Sequence, residues 1–259
     1  MSTDTVDRYL AAARPQLSPR TLELYGYYLR RLAHDTSDSL LTVDGVTLAT
    51  WLGGNGWQRN TMRSARNAMR AFFRWATATG ACTDDPTVGL PVVPAVKGVP
   101  HPVDEGLWRD CVAHASPRDR LMLLLAGRCG LRRSEVAQVH TDDVDVDGLI
   151  VHGKGGKPRR VPLPGEVRQE LQKVPSGWVF PGRWSGHMTP DSVGKAMRRA
   201  LRFQASGHDC RHRFATRAYE GTLDLYAVQR LMGHASAQTT EGYIAVSDAA
   251  LRAAMAAAA

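Results

Sequence analysis

A proline-rich stretch about a third of the way along the chain places the strongest limit on how it can fold. Residues 85–102, DPTVGLPVVPAVKGVPHP, contain five prolines and two glycines. Because proline interrupts helices and sheets, this composition favours a linker. The 259 residues also exceed what one small core needs. We therefore expect two domains, residues 1–90 and 103–259, joined by a linker at 91–102. An extended connection inside a single domain is the alternative.

Composition predicts where in the cell the protein works and the charge of its partner. No apolar run approaches the ~20 residues of a membrane span, and the N-terminus lacks the apolar segment of a signal peptide. We therefore expect a cytoplasmic protein with no membrane partner. A net charge of +8 favours a polyanionic partner. The cysteines occur without CxxC pairs, which predicts reduced thiols rather than disulfides or zinc ligands: Cys82, Cys111, Cys129 and Cys210.

Local patterns predict a mainly α protein with a small antiparallel β-sheet. Ser18-Pro19 is a typical helix start, and Thr189-Pro190 is another. The segments VDVDGLIVHG and RRVPLP read as two strands joined by the glycine-rich GKGGKP. The helix that begins at Thr189-Pro190 should expose four basic side chains, which form a candidate DNA-binding set: Lys195, Arg198, Arg199 and Arg202.

A long helix predicted from about Trp57 to Thr79 carries five regularly spaced arginines. At 100° per residue they form a stripe about 80° wide and ~22 Å long. No acidic residue occurs between Asp44 and Asp84 to neutralise them. The stripe therefore predicts contacts with the DNA phosphate backbone, with a plain solvated face as the alternative. Its members are Arg59, Arg63, Arg66, Arg70 and Arg74.

Four short segments in the second half of the chain concentrate cations around one late tyrosine. They are GLRRSE, GKGGKPRRVPL, HDCRHRFAT and LMGHASAQTTEGY. Cations suit the nonbridging oxygens of a phosphodiester, a proton donor suits the leaving oxygen, and a phenol can attack phosphorus. Each segment alone predicts little, whereas the set predicts chemistry at a phosphodiester. In chain order it supplies Arg132, Lys154, His208, Arg211, His234 and Tyr243.

These segments resemble the four signature regions of the tyrosine recombinases, which include phage integrases and chromosome-dimer resolvases. SPRTLELYGYYLRRL and NAMRAFFRWATATGACTDDP, in the first 90 residues, resemble that family's helical core-binding domain. The resemblance implies a SAM-like helical DNA-binding domain followed by an α+β catalytic domain. It also implies a C-terminal tail from about residue 248 and no separate arm-binding domain.

The resemblance assigns a role to each candidate. Arg132 and Arg211 would bind the phosphate, since a guanidinium stays charged and can contact two oxygens at once. Lys154 would protonate the leaving 5′-hydroxyl, although Lys157 lies only three residues away. Tyr243 would attack phosphorus and form a 3′-phosphotyrosyl bond. Exchange would then need neither ATP nor a metal cofactor.

The remaining candidates would support this chemistry. His208 lies one helical turn before Arg211, so both can face one phosphate, and His208 would assist proton transfer or orient the phosphate. His234 would donate to a nonbridging oxygen. Glu135 would orient the site, with an ordinary helix salt bridge as the alternative. Arg213 departs from the family pattern and could contact DNA or only change the packing.

The family resemblance also implies partners. The expected substrate is double-stranded DNA at crossover sites, bound by a homo-tetramer near the nucleoid of a host bacterium. We expect a small integrase that integrates or excises a phage or related element. The need for an accessory directionality factor stays open, as does docking of the tail on its own or a neighbouring protomer.

Three other functions compete with this prediction. His208 and His212 have the spacing of a metal-binding pair, but Arg211 and Arg213 would repel a cation. A non-catalytic architectural or regulatory DNA-binding protein would explain the arginine stripe without requiring a nucleophile. A type IB topoisomerase would share the covalent chemistry without requiring paired sites.

Overall fold

The computed structural model divides the chain into two compact units, Met1–Lys97 and Gly98–Ala259. The division falls inside the proline-rich stretch. Each unit has its own hydrophobic core. The structure describes residues 2–36, 39–96, 99, 101–153, 158–183, 185–233 and 255.

Four α-helices build the described part of the first unit. Proline is the first residue of α2, as the Ser18-Pro19 signal predicts. The Asp44 carboxylate accepts a hydrogen bond from the Thr47 N–H at 2.7 Å and so caps the start of α3. The bounds are α1 Ser2–Ala13, α2 Pro19–Thr36, α3 Gly45–Gly54 and α4 Arg59–Ala78.

Aromatic and aliphatic side chains from these helices form the core of the first unit. Phe72 and Phe73 of α4 are fully buried, as are Leu29 and Leu32 of α2. Tyr9 of α1 meets Phe72 edge-on, with ring centroids 5.6 Å apart, a favoured aromatic geometry. The apolar face predicted for α4 is therefore the face that holds the unit together.

The first part of the predicted linker packs on this unit. Leu90 and Val93 are buried in its core. The Asn60 side chain hydrogen-bonds both backbone polar groups of Val96 at 3.1 Å. Arg66 Nη2 donates to the Leu90 carbonyl at 2.9 Å. Residues 85–96 therefore lie against α4 rather than extending freely from it.

Seven helices and two small sheets build the described part of the second unit. Side chains of Asp104, Ser116, Thr189, Ser206 and Asp224 cap five of the helices. The helices are α5 Glu105–His114, α6 Pro117–Gly127, α7 Arg133–Ala137, α8 Gly165–Gln172, α9 Pro190–Ala200, α10 Gly207–Thr222 and α11 Leu225–Met232. In the described part of the chain, no helix is both long and apolar enough to cross a bilayer.

Helix α6 is the centre of the second unit. Every residue from Leu121 to Gly127 is buried, with α5, α8, α9 and α10 packed around it. Arg213 of α10 also serves this packing: its Nη1 donates to the Gly127 carbonyl at 2.9 Å, and its Nε lies 2.7 Å from Glu105 Oε1. Its guanidinium carbon lies 4.7 Å from the centroid of the Trp108 ring. Arg213 is therefore a packing residue.

The main sheet is an antiparallel meander of β1 Val144–Asp145, β2 Gly148–His152 and β3 Pro158–Val161. The predicted first strand, VDVDGLIVHG, is wrong in one respect, because a tight turn divides it into β1 and β2. The Asp145 carboxylate accepts hydrogen bonds from the N–H groups of Asp147 and Gly148, which fixes that turn. In register, Ile150 lies opposite Arg160 and Val151 opposite Arg159.

The sequence analysis missed a second sheet. It is a two-stranded pair of β4 Pro181–Gly182 and β5 Gly186–His187. Strands of two residues carry no periodicity that a sequence pattern could reveal.

The close approach of α5 to α6 predicts a sharp glycine requirement. A Cβ atom on Gly127 would overlap the buried ring of Trp108. We expect Gly127→Ala to lower the free energy of unfolding by about 1–3 kcal/mol, the usual cost of overpacking. Gly165→Ala is the matched control, since nothing lies within 4 Å of its Cβ position. Equal stability of Gly127→Ala and Gly165→Ala in urea denaturation would contradict this packing.

Candidate active site

The first candidate arginine is held by the helix that it precedes. Arg132 comes directly before α7, whose third residue is Glu135. Glu135 Oε2 accepts from the Arg132 backbone N–H and Oε1 accepts from Arg132 Nη1, both at 2.8 Å. The expected support of Arg132 by Glu135 is therefore a direct contact, and the Arg132 side chain stays 35% exposed.

The second candidate arginine comes from the start of α10. Ser206 caps this helix, and its Oγ accepts from the His208 N–H at 3.2 Å. Arg211 follows one turn later, and only 1% of its side chain is exposed. Its Nη1 donates to the Gly130 carbonyl and lies 3.8 Å from Glu135 Oε2. The two arginines therefore flank one buried carboxylate.

A third arginine, which the sequence analysis did not single out, completes the charge cluster. Arg159 Nη1 and Nη2 donate to the two oxygens of Glu135 at 2.8 and 2.9 Å. Burial raises the pKa of Glu135, but the hydrogen bonds and charge of Arg159, with those of Arg132, outweigh it and leave the pKa below its usual value. Glu135 is therefore ionised at neutral pH.

These three arginines also meet the C-terminal end of α11. Arg159 Nε donates to the Leu231 carbonyl at 2.7 Å, and Arg211 Nη2 donates to the Met232 carbonyl at 2.7 Å. Arg132 Nη2 donates to the Gly233 carbonyl at 3.2 Å. The last carbonyls of a helix lack intrahelical donors and carry its partial negative charge. Three successive carbonyls are thus satisfied by three guanidinium groups.

A pocket of about 650 Å³ opens at this cluster. Five permanent cations line it, against one carboxylate, Asp191, which pairs with Lys195 at 2.9 Å. A phosphodiester suits this excess of positive charge. The lining comprises Arg132, Arg133, Ser134, Asp191, Gly194, Lys195, Arg198, Ser206, Gly207, His208 and Arg211.

His208 differs electrostatically from the other basic groups in the pocket. Partial desolvation of the ring lowers the pKa of His208, and the charges of Arg211, Arg132 and Arg133 lower it further. The charge of Asp209 acts in the opposite direction. The neutral imidazole is therefore favoured at neutral pH. A neutral ring can accept a proton, which an arginine cannot do.

Three predicted residues, Lys154, His234 and Tyr243, lie outside the described residues, as does the predicted C-terminal tail apart from Met255. In sequence, described residues border two of these positions. Strands β2 and β3 end and begin on either side of residues 154–157. Helix α11 ends at Met232, and Gly233 follows it, one residue before His234.

The predicted basic face of α9 is divided between two surfaces. Lys195 and Arg198 are exposed and line the 650 Å³ pocket. Arg199 and Arg202 are also exposed but line a separate depression of about 490 Å³. Arg202 Nη2 lies 2.6 Å from Asp110 Oδ2, so part of its charge is already neutralised. Residues 195 and 199 lie one helical turn apart and so share a face of α9 only approximately. The packing around α9 decides which of the two pockets each side chain lines.

The predicted arginine stripe on α4 requires one correction. Arg59, Arg63 and Arg74 are exposed and Arg70 is half-buried, but Arg66 is buried. Its guanidinium binds the Leu90 carbonyl, because the proline-rich segment covers this part of α4. Arg66 therefore belongs to the packing of the first unit rather than to its surface.

Among the described residues, the metal-binding alternative finds no third ligand beside His208 and His212. The His208 and His212 rings meet edge-on with centroids 4.6 Å apart. Across the part of the chain that the structure describes, no group of three or more histidine, cysteine or acidic residues could hold a metal ion. Cys210, between the two histidines, is fully buried, and burial raises the pKa of its thiol.

The buried carboxylate predicts a pH-dependent loss of stability on mutation. Because the folded-state pKa of Glu135 is lowered, its charge stabilises the fold above about pH 4.3, and that contribution disappears as pH falls through the folded-state pKa. We expect Glu135→Gln to cost about 2–4 kcal/mol at pH 7 and less at acidic pH, measured by urea denaturation.

Glu166→Gln is the matched control, since Glu166 pairs with Arg128 at 2.7 Å but is 38% exposed. It should cost less than about 1 kcal/mol. A Glu135→Gln loss that does not shrink on acidification would contradict the assigned charge state.

Comparison with known proteins identifies the family. The sequence profile of the phage integrase family matches residues 108–250, more than half of the chain. Tyrosine recombinase XerD of Caulobacter vibrioides is 33% identical, over 92% of this chain and 88% of that protein. The integrase of mycobacterium phage Brujita is 29% identical with a TM-score of 0.51, over 95% of this chain and 96% of that one.

The fold agrees with a further solved structure. The lambda integrase dimer bound to a COC′ core site matches with a TM-score of 0.76 at 20% identity, over 93% of this chain and 94% of that one. The family match covers all three described candidates, Arg132, His208 and Arg211. The chain therefore belongs to the phage integrase family of tyrosine recombinases, which are site-specific DNA recombinases.

Proposed function

We propose that this recombinase cuts and rejoins DNA through a 3′-phosphotyrosyl bond to Tyr243. One observation carries the proposal: Arg132, His208 and Arg211 open onto a single cationic pocket, and a buried carboxylate backs both arginines. Contacts with the carboxylate and with backbone carbonyls hold the donors of this pocket in place. Its donors therefore need little rearrangement when charge develops on the phosphate.

The proposed chemistry at phosphorus is electrostatic. Phosphoryl transfer requires charge stabilisation on the nonbridging oxygens and on the leaving oxygen. Arg132 and Arg211 are proposed to bind the nonbridging oxygens, with His234 donating a further hydrogen bond. Loss of one such donor typically slows a reaction by roughly 10²–10³-fold. These fixed cations perform the role for which other phosphoryl-transfer enzymes use magnesium, so no metal or nucleotide cofactor enters the proposal.

Protons and bonds balance in the proposed cleavage step. The Tyr243 Oη–P bond forms while the P–O5′ bond breaks. The phenol proton passes to neutral His208, whose lowered pKa leaves one ring nitrogen unprotonated at neutral pH. Lys154 gives a proton to the departing 5′-oxygen. Attack by the 5′-hydroxyl of another strand reverses these steps and releases Tyr243.

Both units are proposed to contact the DNA backbone. On the first unit the contacts come from the exposed arginines of α4, now without Arg66. On the second unit Lys195 and Arg198 extend the cationic pocket beyond the scissile phosphate, and Arg199 and Arg202 contact DNA from the neighbouring depression. Phosphate contacts of this kind supply affinity but carry no sequence information.

The biological role is proposed as integration or excision of a phage or mobile element, in the cytoplasm of a host bacterium and at its nucleoid. Similarity to the integrase of a mycobacteriophage supports this choice. Exchange between two duplexes requires four nucleophiles, so the proposed assembly is a homo-tetramer with two protomers at each crossover site. The tail from about residue 248 is proposed to dock on a neighbouring protomer. An accessory factor would act on the direction of exchange rather than on its chemistry.

A nicked half-site duplex tests the covalent step. We expect wild-type protein to form an SDS-stable protein–DNA adduct in the presence of EDTA. Tyr243→Phe should form none, because it lacks the attacking oxygen, yet should bind the duplex as tightly in a gel-shift assay. Tyr226→Phe is the matched control, since Tyr226 is 73% exposed on α11 and should leave the adduct unchanged. An adduct of undiminished yield from Tyr243→Phe would assign the nucleophile elsewhere.

Salt dependence tests the α4 surface. Each arginine that neutralises a phosphate contributes about one unit to the slope of log affinity against log salt concentration. We therefore expect the double variant Arg63→Gln, Arg74→Gln to bind DNA more weakly and to reduce the slope by about two units. Arg30→Gln is the control, because Arg30 already pairs with Asp7 at 2.7 Å. Equal slopes for both variants would remove α4 from the DNA interface.

A further inference from the structure

Arg159 joins three of the segments from which the candidate active site is built. It lies on β3, two residues after the 154–157 segment that contains Lys154. Its Nη atoms donate to both oxygens of Glu135, and its Nε donates to the Leu231 carbonyl at 2.7 Å. Only 12% of the side chain is exposed, and it is not among the residues that line the cationic pocket.

The contacts of Arg159 explain how Arg132 keeps its position. Glu135 Oε1 accepts from both Arg132 Nη1 and Arg159 Nη1 at 2.8 Å. Without Arg159, a carboxylate that is only 3% exposed would keep the close contact with Arg132 and the longer one with Arg211. A buried carboxylate that loses a donor costs free energy, so Glu135 would shift toward the remaining cations. Arg132 would move with it.

The contact with Leu231 fixes the end of α11. Gly233 terminates this helix with a φ of +62°, a conformation that glycine adopts readily. A Cβ atom there would lie 2.9 Å from Arg159 Nη1, so the guanidinium packs directly on this terminus. The chain reaches His234 at the next residue. A displaced Arg159 would therefore release the start of the segment that leads to His234 and Tyr243.

We propose that Arg159 is a positioning residue for strand cleavage: by bridging Glu135 and the Leu231 carbonyl, it holds Arg132 and the end of α11 in one fixed arrangement. This inference rests on the proposed function of Arg132 and Tyr243. It assigns Arg159 no contact with DNA, so its loss should slow cleavage without weakening binding. Small misplacements of reacting groups are known to cost about 10²-fold in rate.

Variants at residue 159 test the proposal with the nicked half-site duplex. We expect Arg159→Met to form the covalent adduct about 10²-fold more slowly while its gel-shift affinity for the duplex stays unchanged. Arg159→Lys keeps the charge but cannot span both Glu135 oxygens and the Leu231 carbonyl. Its cleavage rate should therefore fall between those of the wild type and Arg159→Met. Should Arg159→Met fail to fold, Arg159→Lys carries the test, and a wild-type rate for it overturns the proposal.

Arg160→Met is the matched control on the same strand. Arg160 pairs with Asp145 and is 43% exposed, on the opposite side of β3 from Arg159. Its cleavage rate should equal that of the wild type. Equal losses in the Arg159→Met and Arg160→Met variants would mean that the strand, rather than the Arg159 contacts, matters, and would overturn the proposal.

A coupling measurement separates positioning from a merely structural role. The charged groups that face Glu135 are Arg159 from β3, Arg132 before α7 and Arg211 from α10. Removing Arg159 should let Glu135 take up a proton at higher pH, so cleavage by Arg159→Met should decline on acidification at a pH where the wild type does not. In a Glu135→Gln background the same substitution should cost much less, because the carboxylate through which it acts is gone.

Thermal denaturation gives a readout that does not depend on recombinase activity. The losses in Tm caused by Arg159→Met and Glu135→Gln should be strongly non-additive in the double variant. Additive losses in Tm, or a Glu135→Gln background that leaves the rate effect unchanged, overturn the inference. If the wild-type protein forms no adduct, the proposed function fails instead, and the Tm cycle still decides whether Arg159 acts through Glu135.

Discussion

The buried carboxylate of Glu135 is the interaction on which the site depends. Three guanidinium groups surround it within 4 Å, and they come from a loop, a strand and a helix that are distant in sequence. Cations gathered this closely would repel one another in the absence of an opposing charge. One ionised carboxylate therefore allows three guanidinium groups to lie close together in the folded protein.

The end of α11 supplies the second opposing partner. Its last carbonyls carry partial negative charge and accept from Arg159, Arg211 and Arg132 in turn. Arg132 and Arg159 thus divide their donors between the carboxylate and a backbone carbonyl, whereas Arg211 donates to the Gly130 and Met232 carbonyls. This division orients the planar groups, because a guanidinium bound on two edges has little freedom to rotate. The same contacts bind the helix that precedes His234 to Arg132, Arg159 and Arg211.

Sequence patterns revealed the parts of the protein whose signals are local. Helix starts such as Thr189-Pro190 were correct, because a cap and a proline act within one turn. The burial of Arg66 was missed, because periodicity defines a helix face but not what covers it, and here a proline-rich segment lies on it. Arg159 was missed for a related reason. Arg159 and Arg160 are adjacent and chemically identical, and only the sheet register decides which one faces Glu135.

The most direct test is a structure of the protein with a nicked duplex and orthovanadate in place of the scissile phosphate. Vanadium adopts the five-coordinate geometry expected during phosphoryl transfer. We expect Arg132 and Arg211 to donate to the equatorial oxygens while still paired with Glu135, and Tyr243 Oη to occupy an axial position opposite the leaving oxygen. A vanadium centre bound away from both guanidinium groups, or a Tyr243 that no protomer delivers to it, would contradict the account.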